Sequence, residues 1–275
     1  MKLTLLGTGC PKVDFERSGP SNIISTNKSN ILVDCGSGVT QRLDQAKISL
    51  KNIDALFLTH LHSDHVIDLY QLIISSWHSY RTKPWKIYGP IGTKKFVKKI
   101  MMAWQDERLL RIEYEQRSSV KAFDIKVKEF RKYGKIKIKD QIIEYFEVDH
   151  KPVKYAYGFN FYHNNKKLTI SGDTKPCENL LKYGQKTDLL LHEVFIEDEL
   201  KSDGKMRTKK TLHNVEAYHT TSSMVGKVAK LMRCKKLVLT HFVPTKFNQN
   251  KLINKVQNDL GKKPIIGRDL LKINI

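Results

Sequence analysis

The sequence reads as an α/β fold in which short strands end on polar side chains, and three observations lead there. Apolar segments recur whose far ends carry chemistry: Ile53 to Thr59 before His60, Leu168 to Ile170 before Asp173, Leu189 to Leu191 before His192 and Glu193, and Leu237 to Thr240 before His241. Helical spacing alternates with them, as in Val39, Leu43 and Ala46. A chain of 275 residues with 40% hydrophobic content has ample material for a large core, and a single elaborated domain over residues 1–275 is expected. Polar residues gathered at strand ends across a sandwich of two sheets make a site.

In chain order, Leu3 to Leu6 is a strand that closes on the tight Gly7-Thr8-Gly9-Cys10-Pro11 loop, and Arg17-Ser18-Gly19-Pro20-Ser21 follows. Asn22 to Thr26 and Asn30 to Asp34 are strands around an Asn-Lys-Ser turn, ending at Gly36-Ser37-Gly38. Val39 to Ala46 is helical. Beyond the His60 loop, Val66 to Ser76 is expected as a helix, Trp77 to Pro84 as a connection, Trp85 to Tyr88 as a strand and Lys94 to Trp104 as a helix. Between Ile112 and Phe146, the alternation in Phe123-Asp124-Ile125-Lys126-Val127 and in Lys135-Ile136-Lys137-Ile138 predicts antiparallel strands, after which comes His150. The echo of Leu58-Thr59-His60 in Leu239-Thr240-His241 hints at two similar halves.

Composition excludes some classes. No apolar stretch reaches the roughly 18 residues of a membrane span, and Gly7-Thr8-Gly9 interrupts the opening Met1 to Leu6 too early for a signal peptide. Cys10, Cys35, Cys177 and Cys234 lie far apart without a C-x-x-C pair, which fits a reducing cytoplasm; Cys10 and Cys35 can approach the site, with packing as their expected role. A formal charge of +21 favours polyanions and phosphate-bearing substrates. Lysine here travels with abundant Ile and Asn, a mix that AT-rich coding also produces, and the charge alone establishes no nucleic-acid partner.

The most specific stretch is Thr59-His60-Leu61-His62-Ser63-Asp64-His65. A strand delivers it, and the H-x-H-x-D-H spacing splits as the chain turns into a helix: His60 and His62 point one way, Asp64 and His65 the other. Borderline metals favour imidazole nitrogen and carboxylate oxygen, so four such groups on two faces of one loop suggest two metals sharing a bridge.

Leu6-Gly7-Thr8-Gly9, Val33-Asp34-Cys35-Gly36, the His60 to His65 run, Asp149-His150, Ser171-Gly172-Asp173-Thr174, His192-Glu193-Val194 and Thr240-His241-Phe242 cover almost the whole chain. In order and spacing they resemble the metallo-β-lactamase-fold hydrolases and, within them, the ribonuclease Z-like branch. The resemblance implies a four-layer αβ/βα sandwich with a dinuclear centre in the cleft between the sheets. It further implies that one metal takes His60, His62 and His150, a second takes Asp64, His65 and His241, and Asp173 bridges them. Ribonuclease Z proper usually carries an arm that grips transfer RNA between the positions matching His150 and Asp173. Here only 22 residues, 151 to 172, lie there, so the chain resembles arm-less members, some of which look like cyclic-nucleotide phosphodiesterases. Trp77 to Thr93 and Asp198 to Asn214 are the segments expected to wall the cleft instead.

The chemistry follows from charge and geometry. Two divalent ions, zinc foremost with manganese or iron also accepted, can hold a hydroxide and neutralise the oxyanion of a phosphoryl transition state. Asp64 can bind metal and orient or deprotonate that water. A departing alkoxide needs a proton, work suited to His219, with Glu193 as the carboxylate that positions it. His213 is the runner-up, while His78 and His163 are expected to be structural or exposed. Three functions remain open: a small-substrate phosphodiesterase acting on cyclic nucleotides, an endonuclease processing RNA 3′ ends, and a non-catalytic nucleic-acid-binding module, which the complete ligand set disfavours. Phe96, Val97, Ile100, Met101 and Trp104 form an apolar surplus that predicts a homodimer, with core packing as the competing explanation.

Overall fold

The computed structural model describes residues 1–275, in which two seven-stranded sheets face each other. The first half runs β1 (Lys2–Gly7), β2 (Ser21–Ser25), β3 (Asn30–Val33), α1 (Val39–Gln45), β4 (Ala55–Phe57), α2 (Ser63–Val66), α3 (Leu69–His78), β5 (Trp85–Gly89), α4 (Thr93–Ala103), α5 (Gln105–Glu115) and β6 (Ile125–Glu129). The second runs β7 (Tyr133–Ile138), β8 (Gln141–Glu147), β9 (Tyr157–His163), β10 (Lys166–Ile170), α6 (Glu178–Tyr183), β11 (Leu189–Phe195), α7 (Lys209–Glu216), α8 (Ser222–Leu231), β12 (Lys236–Val243), α9 (Gln249–Leu260) and β13 (Ile265–Ile266). A last strand, β14 (Lys272–Asn274), returns to pair antiparallel with β1. Each sheet begins with antiparallel strands and continues in parallel ones, β3-β4-β5-β6 and β10-β11-β12-β13. The two halves therefore share a plan.

Successive side chains of a strand point to opposite faces. Ala55 and Phe57 of β4 enter the core between the sheets, whereas Leu56 and Leu58 pack beneath α1, α3 and α4. In β11, Leu189 and Leu191 turn inward while Leu190 and Val194 pack against α6, α8 and α9. Both faces of each sheet are thus covered, which is why the central strands read as unbroken apolar runs. Three apolar layers between helices, sheet, sheet and helices form the αβ/βα sandwich. Phe57, Phe159 and Phe161 meet in the middle layer, and truncating such a buried ring costs about 3–5 kcal/mol.

The departures from expectation are local. The helix expected over Val66 to Ser76 is two helices, because Asp68 at the break turns its carboxylate to accept the Gly38 amide at 2.7 Å; the second continues through Trp77 and His78. Ile112 lies in α5, not in a strand. β6 and β7 do not pair: β6 adds parallel to β5 and β7 antiparallel to β8, so each is the terminal strand of a different sheet. Alternation reports a half-buried strand but not its partner. The stretch Asp198 to Asn214 ends inside α7. On α4, Val97 is buried and Phe96 and Met101 pack on the helix-side core, so most of the expected apolar surplus is core. Around this helix the exposed apolar groups include Met102, Trp104 and, on α5, Leu109, Leu110 and Tyr114. The four cysteines are unpaired, Cys10 and Cys35 being buried, and no helix is long and apolar enough to cross a membrane.

Candidate metal centre

Strand ends of both sheets converge on one cluster. The first sheet delivers His60, His62, Asp64 and His65 after β4; the second delivers His150 after β8, Asp173 after β10 and His241 within β12. One ligand atom each of His60, His62, His150 and Asp173 lies within 4.8 Å of the others, and the same holds for Asp64, His65 and His241. Asp173 Oδ2 stands between the two groups, 3.9 Å from both His60 Nε2 and His150 Nε2, 3.4 Å from His65 Nε2 and 3.2 Å from His241 Nε2. The structure therefore brings together all seven sequence-predicted residues in the two sets expected of them.

The neighbours of these side chains decide which nitrogen is bare. Asp34 follows β3 in the left-handed region, at φ 59°, and this turn aims its carboxylate under the loop. It accepts from Thr59 N at 2.8 Å, from Thr59 Oγ1 at 2.9 Å and from His65 Nδ1 at 2.9 Å. Thr59 Oγ1, its proton committed to Asp34, accepts from His60 Nδ1 at 3.0 Å. The Tyr218 carbonyl can only accept, so His150 Nδ1 donates to it at 2.9 Å. Three histidines are thus oriented with Nδ1 committed and Nε2 turned toward Asp173. His60 Nε2 and His65 Nε2 are buried and without a hydrogen-bond partner. Buried lone pairs beside buried carboxylates are costly unless cations compensate them, and this donor set of imidazole nitrogens and carboxylate oxygens fits two divalent ions.

Without such ions the cluster balances its charge with protons. Burial, reinforced by the neighbouring His65, holds the His60 pKa well below the usual histidine range. Burial also pulls on His241, but Asp173 and Asp64 outweigh it and push the pKa up to about 9. For His65 too, burial is outweighed, by Asp173, Asp34 and Asp64, and its pKa lies well above normal. Asp173 is held well below the usual carboxylate range, burial opposing and the imidazoles of His241 and His65 prevailing.

Beside the cluster, His219 Nδ1 pairs with Glu193 Oε1 at 2.9 Å, and the same oxygen accepts from Thr174 N at 3.0 Å and Thr220 N at 3.2 Å. A cleft of about 410 Å³ opens over the cluster, lined by Cys10, Pro11, Lys12, Ser63, Val215, Tyr218, His219 and Val243 together with metal-site residues. Neither Trp77 to Thr93 nor Asp198 to Asn214 lines it; α7 folds the latter outward and leaves Val215 to His219 as the wall. Cys10, for which packing was the expected role, lines the cleft, while Lys12 and Tyr218 were not singled out by sequence, since nothing local shows where a loop returns. His213 is exposed and lines a separate cavity on the other side of His219. His78 accepts from Arg117 Nη2, and His163 lies beside Asp140, away from the cluster. A larger cavity, about 650 Å³, lies between α3 and α5 and contains none of the seven residues.

The family described as anti-Pycsar protein Apyc1 matches residues 1–226. Ribonuclease Z of Mycolicibacterium gilvum is 32% identical over 249 residues, covering 89% of this chain and 85% of that protein. Two solved structures share the fold: the metallo-β-lactamase fold protein YhfI of Bacillus subtilis, with TM-score 0.76, 17% identity and 99% of both chains covered, and human tRNase Z, short form, with TM-score 0.72, 23% identity and 100% and 99% covered.

Proposed function

The chain belongs to the anti-Pycsar protein Apyc1 family, in the ribonuclease Z-like branch of the metallo-β-lactamase fold; it is a metal-dependent phosphodiesterase, and we propose that its substrate is a small phosphodiester, foremost a cyclic nucleotide. The observation that carries this reading is the cleft. At about 410 Å³ it lies in the lower part of the range for small-molecule pockets, and Lys12 is the one lysine or arginine in its lining. The 22 residues between His150 and Asp173 are spent largely on the β9–β10 hairpin, with no length for an arm.

His60, His62 and His150 would hold one divalent ion, Asp64, His65 and His241 the other, and Asp173 both, with zinc the first candidate and manganese or iron accommodated by the same ligands. When bound, such a pair supplies an acidified water and positive charge for the transition-state oxygens. Asp64, whose side chain is 8% exposed at the floor of the cleft, orients the attacking water and takes its proton. His219, with Nδ1 committed to Glu193, has Nε2 free to protonate the leaving oxygen. The exposed apolar face of α5 is the proposed contact of a homodimer, and the four unpaired cysteines suit a cytoplasmic setting.

A second reading, an RNA 3′-end endonuclease, is favoured by the 32% identity to a ribonuclease Z and by the +21 charge. The zinc- or manganese-supplemented protein is assayed on bis-p-nitrophenyl phosphate, cyclic nucleotides, a transfer-RNA precursor and a lactone. Cyclic-nucleotide hydrolysis with little salt dependence supports the first reading; cleavage of the precursor alone, falling steeply with salt, replaces it with the second.

A further inference from the structure

We propose a second binding surface, away from the cleft, that takes the phosphodiester backbone of RNA: the open edge of the sandwich formed by β6 and β7. These are the terminal strands of the two sheets on the same side, so the outer backbone of each is unpaired. Within residues 126–137 the cations Lys126, Lys128, Arg131, Lys132, Lys135 and Lys137 are all exposed. Lys135 pairs with Glu144 at 3.5 Å; the other five have no ion-pair partner. The one acid in that span, Glu129, is committed elsewhere, accepting the Gly92 and Lys94 amides at the start of α4. That contact also places the exposed lysines of α4 beside the ridge.

Two details distinguish this edge from an ordinary solvated surface. Lys126 stands directly opposite Lys86 in the β5–β6 register, and both are exposed. Like charges in that position cost stability, a cost that a polyanion lying across them removes. Lysines on an edge strand do guard against aggregation, but Arg131 and Lys132 lie in the turn between the two sheets and guard no strand. This turn is at the catalytic end of the molecule. Lys132 O accepts the amide of Glu147, the last residue of β8 and three before His150. The ridge therefore starts at the end of the sandwich that carries the metal-ligand cluster and runs away from it. Its matching ligand is a chain of regularly spaced phosphates, and binding there requires no cleavage, so the inference stands apart from the small-substrate reading.

The test is fluorescence anisotropy of zinc-loaded protein with a fluorescein-labelled oligouridylate of about 20 nucleotides, titrated at several salt concentrations, with RNA integrity checked on a gel. A variant carrying K126Q, K128Q, R131Q and K132Q is compared with a control carrying K227Q, K230Q, K236Q and K263Q, which removes the same charge from exposed positions elsewhere. For single strands, log affinity falls with log salt by about 0.7 per neutralised phosphate, so four lost contacts reduce the slope by about 3 and weaken low-salt binding at least tenfold. The control is expected to change the slope by less than about 1, and both variants to hydrolyse bis-p-nitrophenyl phosphate like the parent. Absence of RNA binding by the parent, or equal weakening in the two variants, overturns the proposal. Either result leaves the cyclic-nucleotide reading untouched, since hydrolysis is scored separately.

Discussion

Replacing His219 with alanine tests the proton donor, and the structure sets the size of the effect. The ring is fixed from behind: Glu193 Oε1 lies 2.9 Å from Nδ1, and the Glu193 side chain is 1% exposed and held by two backbone amides. A positioned general acid contributes about 10²–10⁴ in rate, or about 3–5 kcal/mol at roughly 1.4 kcal/mol per decade. That loss should appear on cyclic nucleotides, whose alkoxide must be protonated as it leaves, and nearly vanish on bis-p-nitrophenyl phosphate, whose nitrophenolate departs unaided. Glu193→Gln exchanges a charge-assisted hydrogen bond of about 1.5–3 kcal/mol for a neutral one of about 0.5–1.5 kcal/mol, so it should cost roughly tenfold with the same substrate dependence. The assay is kcat/KM on both substrates with metal content measured in parallel. His219 also has a ring nitrogen within 4.8 Å of ligand atoms of Asp173 and His241, which gives it a rival role as a ligand. Equal losses on both substrates, or a fall in bound metal, would refute the proton-donor assignment.

Three further outcomes are expected. Protein purified without chelator should approach two divalent ions per chain by elemental analysis; Asp173→Ala should retain less metal than His62→Ala, because Asp173 Oδ2 lies between both groups and its loss leaves two cations repelling at short range. Apparent metal affinity should rise with pH up to about 9. In the metal-free protein, His241 at about 9 and His65 well above normal are raised groups, whose proton–carboxylate contacts stabilise the fold fully below the ordinary histidine pKa of about 6.5, the His241 contribution fading as pH passes about 9. Ions must displace those two protons, so the log-affinity slope should approach about 2 per pH unit; a flat profile in isothermal titration would show that the imidazoles are already bare. Asp34→Asn should lower metal affinity about 10–100-fold while the far-ultraviolet circular dichroism stays unchanged, since it removes the ionised acceptor that orients His65.

The proposed ligands were legible because they sit at or shortly beyond a strand's polar end, and such ends are marked in sequence by an apolar run meeting a polar residue. Ile53 to Thr59 and Leu237 to Thr240 needed no partner information to place His60 and His241 at the same end of their sheets. The pairing of strands was not legible. Phe123 to Val127 and Lys135 to Ile138 alternate alike, yet the connection at Phe130 to Lys132 passes from one sheet to the other, a choice set by which edge remains open. α5 escaped for a different reason: none of its residues is buried, so its apolar groups mark no core face. The cleft wall depends on where α7 turns back toward the cluster, which local spacing does not encode. Asp34 was visible as part of Val33-Asp34-Cys35-Gly36, but its orienting role depends on a left-handed backbone at a residue other than glycine.

The hydrogen bonds behind the cluster show how its geometry depends on the whole sandwich. On the first sheet, the Thr59 hydroxyl donates to Asp34 and accepts from His60, while Asp34 also accepts from His65. One carboxylate thus orients a ligand of each proposed ion. On the second sheet, the Tyr218 carbonyl orients His150, and the next residue is His219. A movement of that segment therefore shifts a proposed metal ligand and the proposed proton donor together. The two orienting systems belong to different sheets, and what sets their separation is the middle apolar layer, where Phe57 of β4 meets Phe159 and Phe161 of β9 edge to face. Phe57 lies three residues before His60 and Phe159 two residues after Tyr157, whose amide donates to Thr59 O at 3.0 Å. The Phe57 ring thus lies one turn of chain from the ligands on a strand bonded across the sheets, so a cavity there relaxes into the metal spacing as well as into stability. Phe57→Leu, which retains most of the apolar volume, should accordingly lower kcat/KM more than its loss of melting temperature suggests. Activity that tracks stability alone would mean the cluster is positioned by its own loop and not by the packing of the sheets.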